Sequence, residues 1–408
     1  MPTLVTLVNT NQVKPAIAPI AFDYLSTALQ RAGYEVDLLD LCFEENFEQK
    51  IVSYCNRRQP DHWGVTLRNT DDVYFSSSYS FLDQIRKIAQ IVRRESSVPI
   101  TLGGVGFSVM PQKLLEHLEA DFGIVCEGEF AFPELIGRLS RQEDISDIPG
   151  LLYRSARGIE YNPMGSGKYG ALADVGAHQR TTVDNRLYFA KGGQIGIETK
   201  RGCNRRCIYC VEPLTKGQQV RLRNPVHIVD EMKSLLEQGI NVFHINDSEF
   251  NLSISHPISF CEEILRRGLE REVKWYAYGM PAPFPDKLAS AMSEAGCVGM
   301  NFGVDSASEK MLKILRRTFT PNDIRNAVVS AKRYKLEHIV ELLFGAPGET
   351  RETVRETIEF IKDANPDRVS VTVGLRIFPG TELENMVRAE YKKNKRPFFP
   401  SLAVVCHR

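Results

Sequence analysis

Apolar and polar positions in the first 140 residues switch repeatedly between two periods. Thr3–Val8 is a compact β-rich run and Tyr34–Leu41 alternates with period two. Trp63–Leu67, Pro99–Gly103 and Phe122–Cys126 are short runs that also read as strands. Between them, Ile20–Ala32, Glu44–Arg58, Phe81–Arg94, Gln112–Leu118 and Phe132–Leu139 are helical in pattern, and Gly33 stands where a C-cap glycine would. This alternation predicts βαβ units and a parallel sheet. Such open sheets bind ligands beyond the carboxyl ends of their strands.

Residues 141–193 break the pattern. Gly, Asn, Pro and Ser are frequent there, and a small hairpin (Leu151–Arg154, Gly158–Asn162) sits in a connecting segment. A second alternation begins at Gln194. Strands are expected over 194–199, 241–247, 273–278, 299–305, 338–345 and 368–377, with helices near 225–238, 256–268, 284–295, 321–335 and 351–364. Six βα units in a row predict a barrel, or most of one. The expected divisions are 1–140, a linker 141–193, a partial barrel 194–385 and the start of a further segment at 386–408. That segment is rich in Lys and Arg and ends on Ser401–Val405, an element only begun, which reads as a chain cut short.

Lys plus Arg and Asp plus Glu both total 51, so the formal charge is zero and nothing steers the chain toward nucleic acid or an anionic membrane. No apolar run is long enough for a membrane span, and the start lacks the basic region and cleavage site of a signal peptide. Nine cysteines, three of them crowded at 203, 207 and 210, are not a secreted disulfide framework. They point to a reducing, cytoplasmic setting and to metal. Cys42, Cys55, Cys126, Cys261 and Cys297 read as core residues.

Cys203, Cys207 and Cys210 follow the first strand of the second series with the spacing Cys-x-x-x-Cys-x-x-Cys. Three thiolates on one loop can hold three irons of a cubane and leave the fourth iron open to a bidentate ligand. The rival readings are structural zinc, which wants a fourth ligand that no nearby residue supplies, and plain buried cysteines. The segment Arg201–Cys210 (RGCNRRCIYC), with Tyr209 before the third cysteine, resembles the radical S-adenosylmethionine superfamily. The resemblance implies a 4Fe–4S cluster on the three cysteines and S-adenosylmethionine on the open iron. It extends along the barrel. Asp247-Ser248-Glu249 stands where the superfamily has a Gly-Gly-Glu-like segment touching the methionine amine. A carboxylate there accepts charge-assisted bonds from an ammonium, although a helix N-cap cluster would look the same. Asp305 and Ser306 end the fourth strand, where the family contacts the ribose. Gly345-Ala346-Pro347-Gly348-Glu349-Thr350 resembles the family's adenine-side turn, and also serves as a tight βα turn. Arg376 and Pro379–Thr381 resemble the sixth-strand end. His244 reads as a packed strand histidine, whereas Trp275, Tyr276 and Tyr278 on the third strand can wall a substrate cavity, with core packing the better explanation for at least one face.

The first domain resembles the cobalamin-binding domain of the cobalamin-dependent class of these enzymes. The implied fold class is α/β: a doubly wound, flavodoxin-like cobalamin-binding domain, then a partial (β/α)6 TIM-type radical barrel. Thr66, Leu67, Arg68 and Asn69, then Gly103, Gly104 and Val105, then Glu127 and Gly128 occupy the loops where the family cradles the corrin and its nucleotide tail. One departure stands out. Asn9–Lys14 replaces the Asp-x-His-x-x-Gly loop of mutase-type domains, so no imidazole reaches cobalt from it. The implied cofactors are the 4Fe–4S cluster, S-adenosylmethionine and cobalamin. The implied activity is methylation of an unactivated carbon through a 5′-deoxyadenosyl radical and methylcobalamin. Its partners would be a small-molecule or peptide substrate and an external electron donor of flavodoxin or ferredoxin type. The rivals are a cobalamin-dependent radical cyclase or rearrangement enzyme, and a non-enzymatic cobalamin or iron–sulfur sensor or carrier. A catalytic side chain is not identifiable.

Overall fold

Every residue of β1 (Leu4–Asn9) is buried, which a strand achieves only when both faces of its sheet are covered. The computed structural model describes residues 2–72, 79–164, 176 and 178–394. It divides into two units: the chain passes from the first to the second at Ile195–Gly196, and the short stretch Leu214–Lys216 is grouped with the first.

In the first unit, β1 is followed by α1 (Ile20–Arg31), β2 (Glu35–Asp40), α2 (Phe47–Cys55), β3 (His62–Thr66), α3 (Leu82–Glu95), β4 (Ile100–Gly103), α4 (Val105–Val109), α5 (Pro111–His117), β5 (Phe122–Ile124) and α6 (Gly128–Arg141). Strands β1 to β5 are parallel, in the order β2-β1-β3-β4-β5. The order reverses between β1 and β3, the switch point at which doubly wound sheets open a crevice. Trp63, Leu102 and Phe107 are fully buried in one core of this unit. Burying a Phe side chain contributes roughly 1.5–3 kcal/mol. Helix α4, which the sequence pattern did not predict, is a single short turn behind Gly104.

Of the segment expected as a linker, residues 141–164 and 178–193 belong to this unit. Strands β6 (Leu151–Ser155) and β7 (Gly158–Tyr161) form the expected hairpin and extend the sheet antiparallel to β5. Helix α7 (Asn185–Ala190) lies near its end. Asp23 on α1 docks the segment: its carboxylate accepts from Arg180 Nε at 2.9 Å, Val183 N at 2.9 Å and Thr182 N at 3.1 Å. Both Asp23 and Arg180 side chains are 0% exposed. The partners are 157 residues apart, so no local pattern could reveal them.

The second unit holds β8 (Gly196–Ile197), β9 (Lys200–Arg201), α8 (Glu212–Thr215), β10 (Arg221–Leu222), α9 (Pro225–Glu237), β11 (Val242–Ile245), α10 (Ser255–Arg266), β12 (Lys274–Gly279), α11 (Asp286–Glu294), β13 (Cys297–Asp305), α12 (Glu309–Ile314), α13 (Pro321–Arg333), β14 (Glu337–Phe344), α14 (Arg351–Ala364), β15 (Arg368–Val373) and α15 (Glu382–Asn394). Six parallel strands lie in chain order, β8-β11-β12-β13-β14-β15, an open barrel wall. Burial alternates along β12: Trp275 and Ala277 are buried, Tyr276 and Tyr278 half-buried. Trp275 packs on Phe250 and Phe260 and donates from Nε1 to Ala295 O at 2.8 Å, so that face meets the helices. The tyrosines therefore face the lumen. Strands expected over 194–199 and 368–377 are shorter, because their carboxyl ends leave the ladder to form loops. The basic run at 388–396 begins in α15, and 395–408 lies outside the described residues. Among the described residues, no helix is long and apolar enough to cross a membrane.

One consequence of the first core is acid sensitivity. His62 on β3 is 3% exposed and pairs its Nε2 with Thr101 Oγ1 at 2.9 Å. Burial lowers its pKa to about 4, with Asp121 opposing. The unfolded chain thus binds more protons here than the fold. The neutral ring stabilises the fold above pH ~6.5, and up to about 3 kcal/mol is lost as pH falls from ~6.5 to ~4. Urea unfolding at about pH 7 and about pH 4.5 should show the wild type losing roughly 2 kcal/mol more than His62→Gln. Equal losses would mean that this ring does not control the acid limb.

Candidate functional site

The chain leaves β8 through Thr199, Lys200 and Arg201 and turns at Gly202, whose φ is +83°. A Cβ there would lie 2.1 Å from Gln219 O, so only glycine permits the turn that starts the cysteine loop. Cys203 N then donates to Gly217 O at 3.1 Å, and Cys210 N to Cys207 O at 3.2 Å. Cys203 is buried, Cys207 and Cys210 are half-buried, and all three are free thiols. Burial pushes each thiol pKa up, Cys210 to about 12, while Arg317 works against the rise at Cys207. Metal ligation would therefore release protons. No group of three or more His, Cys, Asp or Glu among the described residues is set to hold one metal ion.

Arg317 gathers the site. Its side chain is 4% exposed. Nη1 donates to Cys207 Sγ at 3.2 Å and Nη2 to Gly303 O. Nε lies 3.4 Å from Asp305 Oδ2, and Nη2 lies 3.8 Å from Glu249 Oε1. Tyr209 donates its hydroxyl to Asp305 Oδ2 at 2.6 Å. Asp305 sits at φ 64°, a strained value for a non-glycine residue, next to an irregularity in the β13–β14 register. Burial pushes the Glu249 carboxyl up to about 7, with Arg317 and Lys200 pulling it back. Lys200 is 2% exposed, and among the described residues its Nζ has no hydrogen-bond partner. Two buried cations and a buried carboxylate can complement the carboxylate and ammonium of an amino acid.

Arg317 and Lys200 were invisible in the sequence. Arg317 follows α12 rather than a strand, and Lys200 is one more basic residue before the motif. The remaining barrel candidates are engaged locally. Asp247, 4% exposed, accepts from the Thr199 amide at 2.8 Å and from the Thr199 hydroxyl, tying two strand ends together. Ser248 donates to Glu212 at 2.8 Å, and Ser306 shares a bond with Thr357 at 2.9 Å. Gly345 donates its amide to Glu349 across the turn that holds Pro347, and Thr350 caps α14. Arg376 is exposed, with its guanidinium 4.9 Å from the Phe378 ring centroid.

In the first unit, Thr66–Asn69, Gly103–Val105 and Glu127–Gly128 do lie at three adjacent strand ends. The two glycines differ in task. Gly104 has φ +99°, and a Cβ would meet Leu67 O at 2.4 Å. It lets the β4 loop pack on the β3 loop, where Gly106 N donates to Leu67 O at 2.9 Å. A Cβ on Gly103 would have no atom within 4 Å, and Val105 is 41% exposed. This is an open shelf, as a flat macrocycle requires. Burial lowers the pKa of Arg68 at the same edge. The Asn9–Lys14 loop is turned inward: Asn9 Nδ2 donates to Asp40 at 2.8 Å, and Gln12 Nε2 to Leu41 O at 2.9 Å. It offers no imidazole.

Residues 197–361 match the Radical SAM superfamily model, and 6–136 match the B12 binding domain model. Tryptophan 2-C-methyltransferase of Streptomyces laurentii is 34% identical over 435 residues, spanning 92% of this chain and 73% of its own. The radical S-adenosylmethionine methyltransferase TsrM of Kitasatospora setae, solved with cobalamin and a 4Fe–4S cluster, superposes with a TM-score of 0.90 at 35% identity, over 96% of this chain and 78% of its own. The same enzyme with tryptophan and a S-adenosylmethionine analogue gives 0.89 at 35% identity, over 95% and 76%.

Three outcomes follow from the geometry. Replacing Cys203, Cys207 and Cys210 together by Ala should abolish iron binding, measured by iron and sulfide content after anaerobic reconstitution. A full cubane in that variant would remove the loop from consideration. Gly103→Trp should fill the open shelf and block cobalamin uptake, read from visible spectra, while iron loading is kept. Gly104→Ala, by contrast, should lower the melting temperature of the first unit, because its methyl meets backbone. Wild-type cobalamin uptake by Gly103→Trp would place the ligand elsewhere.

Proposed function

The chain belongs to the cobalamin-dependent radical S-adenosylmethionine methyltransferases, and on that premise we propose that it methylates a carbon of an aromatic, tryptophan-like substrate. The observation that carries the reading is the cysteine loop at the first barrel strand, with the Arg317 guanidinium 3.2 Å from Cys207 Sγ. The substrate class is supported by the relatives, one of which is a tryptophan 2-C-methyltransferase and another of which was solved with tryptophan.

When bound, the cluster supplies an electron and an open iron, S-adenosylmethionine the methyl group, and cobalamin its carriage to carbon. Cys203, Cys207 and Cys210 would hold the cluster. Arg317 fixes one ligand sulfur and braces Glu249 and Asp305. Glu249 would accept from the S-adenosylmethionine ammonium, while Asp247, with Ser248 and Ser306, would hold the strand ends that position it. Asp305, oriented by the Tyr209 hydroxyl, would take the ribose. The turn of Gly345 and Pro347 would take the adenine, with Arg376 at the sixth strand end. Thr66, Leu67, Arg68, Asn69, Gly103, Gly104, Val105, Glu127 and Gly128 would hold the cobalamin. Burial of Arg317 and Glu249 excludes water and strengthens their charge-assisted bonds. The reading includes a cytoplasmic location and an external one-electron donor of flavodoxin or ferredoxin type.

The test is single. Holoenzyme reconstituted anaerobically with iron, sulfide and hydroxocobalamin is given reductant, L-tryptophan and methyl-labelled S-adenosylmethionine. Mass spectrometry should find one labelled methyl group on carbon of the amino acid. Full cofactor loading with no labelled product would overturn the substrate assignment.

A further inference from the structure

A barrel lumen that only has to be filled is packed with Val, Ile and Leu. This one is not. His244 on β11, Tyr276 and Tyr278 on β12, Asn301 on β13 and Glu341 on β14 are each half-buried, at positions that alternate with fully buried neighbours facing the helices. They form one band across four adjacent strands. His244 stacks on Tyr276 with ring centroids 4.6 Å apart and planes at 13°, and meets Tyr278 edge-on at 5.2 Å. The register sets Tyr278 opposite Asn301, and Gly303 opposite Glu341. Gly303 carries no side chain, and a Cβ there would touch only Arg317 Nη2, at 3.5 Å. Tyr278 and Glu341 lie two strands apart, about 10 Å across the sheet, and two residues apart along it, with the side-chain-free Gly303 beside Glu341. Asn301 Nδ2 reaches Glu341 Oε1 at 3.4 Å, a long bond, and no other hydrogen bond to this carboxylate occurs among the described residues.

We infer that this band is a substrate subsite: a planar aromatic ring stacks against Tyr276 and Tyr278 and donates its ring N–H to the Glu341 carboxylate. The inference rests on the aromatic substrate proposed above and assigns the residues that would select it. Aromatic faces give offset or edge contacts worth more than the area they bury, and a carboxylate acceptor rewards an N–H that an isostere lacks. Burial, then the charge of Asp305, raises the pKa of Glu341, as expected of a carboxyl group short of donors. His244 and Tyr276 keep each other's ring planes fixed, so little side-chain freedom is lost on binding.

Holoenzyme is titrated by calorimetry with L-tryptophan and with 3-(1-benzothiophen-3-yl)alanine, in which sulfur replaces the ring N–H. Wild type should prefer tryptophan by about tenfold, roughly 1.4 kcal/mol. Glu341→Met should erase the preference, Glu341→Gln should keep part of it, and Tyr276→Leu should weaken both ligands by about tenfold or more. Iron and cobalamin contents, measured on the same samples, should match wild type. Equal affinity of wild type for the two ligands, an undiminished preference in Glu341→Met, or no binding of either ligand overturns the subsite. If this pattern appears but no methyl group is transferred, the subsite stands and the proposed reaction fails.

Discussion

A guanidinium withdrawn from water must find its counter-charges inside the protein, and in the barrel Arg317 imposes that condition on everything around it. Its side chain is 4% exposed. Left without partners, a buried charge of this kind costs roughly 3–5 kcal/mol. The fold meets the condition with Asp305, Glu249, the Gly303 carbonyl and the Cys207 sulfur. Burial by itself disfavours the cation, and these neighbours more than reverse the effect, so Arg317 stays charged. The left-handed backbone at Asp305 and the register irregularity beside it are understandable in this light. A regular strand would have sent that carboxylate to another place.

The same logic explains why two buried carboxylates on one loop do different things. Asp247 is saturated by the backbone and hydroxyl of Thr199, so it serves as a strut. Glu249, two residues on, meets its nearest cation only at 3.8 Å and keeps a raised pKa. It retains capacity for a further donor. In the first unit Asp23 is the counterpart of Asp247, spending its lone pairs on Arg180 and two backbone amides. What separates a structural carboxylate from one available for binding is the number of donors already committed to it.

Those commitments also mark the limit of what the sequence could tell. The alternation of strand and helix is a local, periodic signal, and both units follow it. The cysteine loop is local too, since three ligands fall within eight residues. Arg317 is not, because it meets Cys207 across 110 residues and carries no motif. The docking of Arg180 on Asp23, across 157 residues, escaped for the same reason, and α4 escaped because five residues are too few to show a helical period. Nor could the sequence separate the two adjacent glycines: Gly103 leaves open space, whereas Gly104 is demanded by the Leu67 carbonyl beneath it. Asp247 and Glu249 could not be told apart without their partners.

His244 illustrates how a local reading can be sound and still incomplete. A lone histidine on a strand is most often packed, and His244 is indeed packed, plane to plane on Tyr276. Periodicity alone leaves Tyr276 and Tyr278 as well suited to a core as to a cavity. The distinction appears only when Gly303 and Glu341, from strands further along the chain, are placed in register beside them. One removes a side chain and the other supplies an acceptor. Neither feature alone would make a binding surface: aromatic rings without an acceptor would be ordinary packing, and a carboxylate without a gap beside it would have no room for a partner.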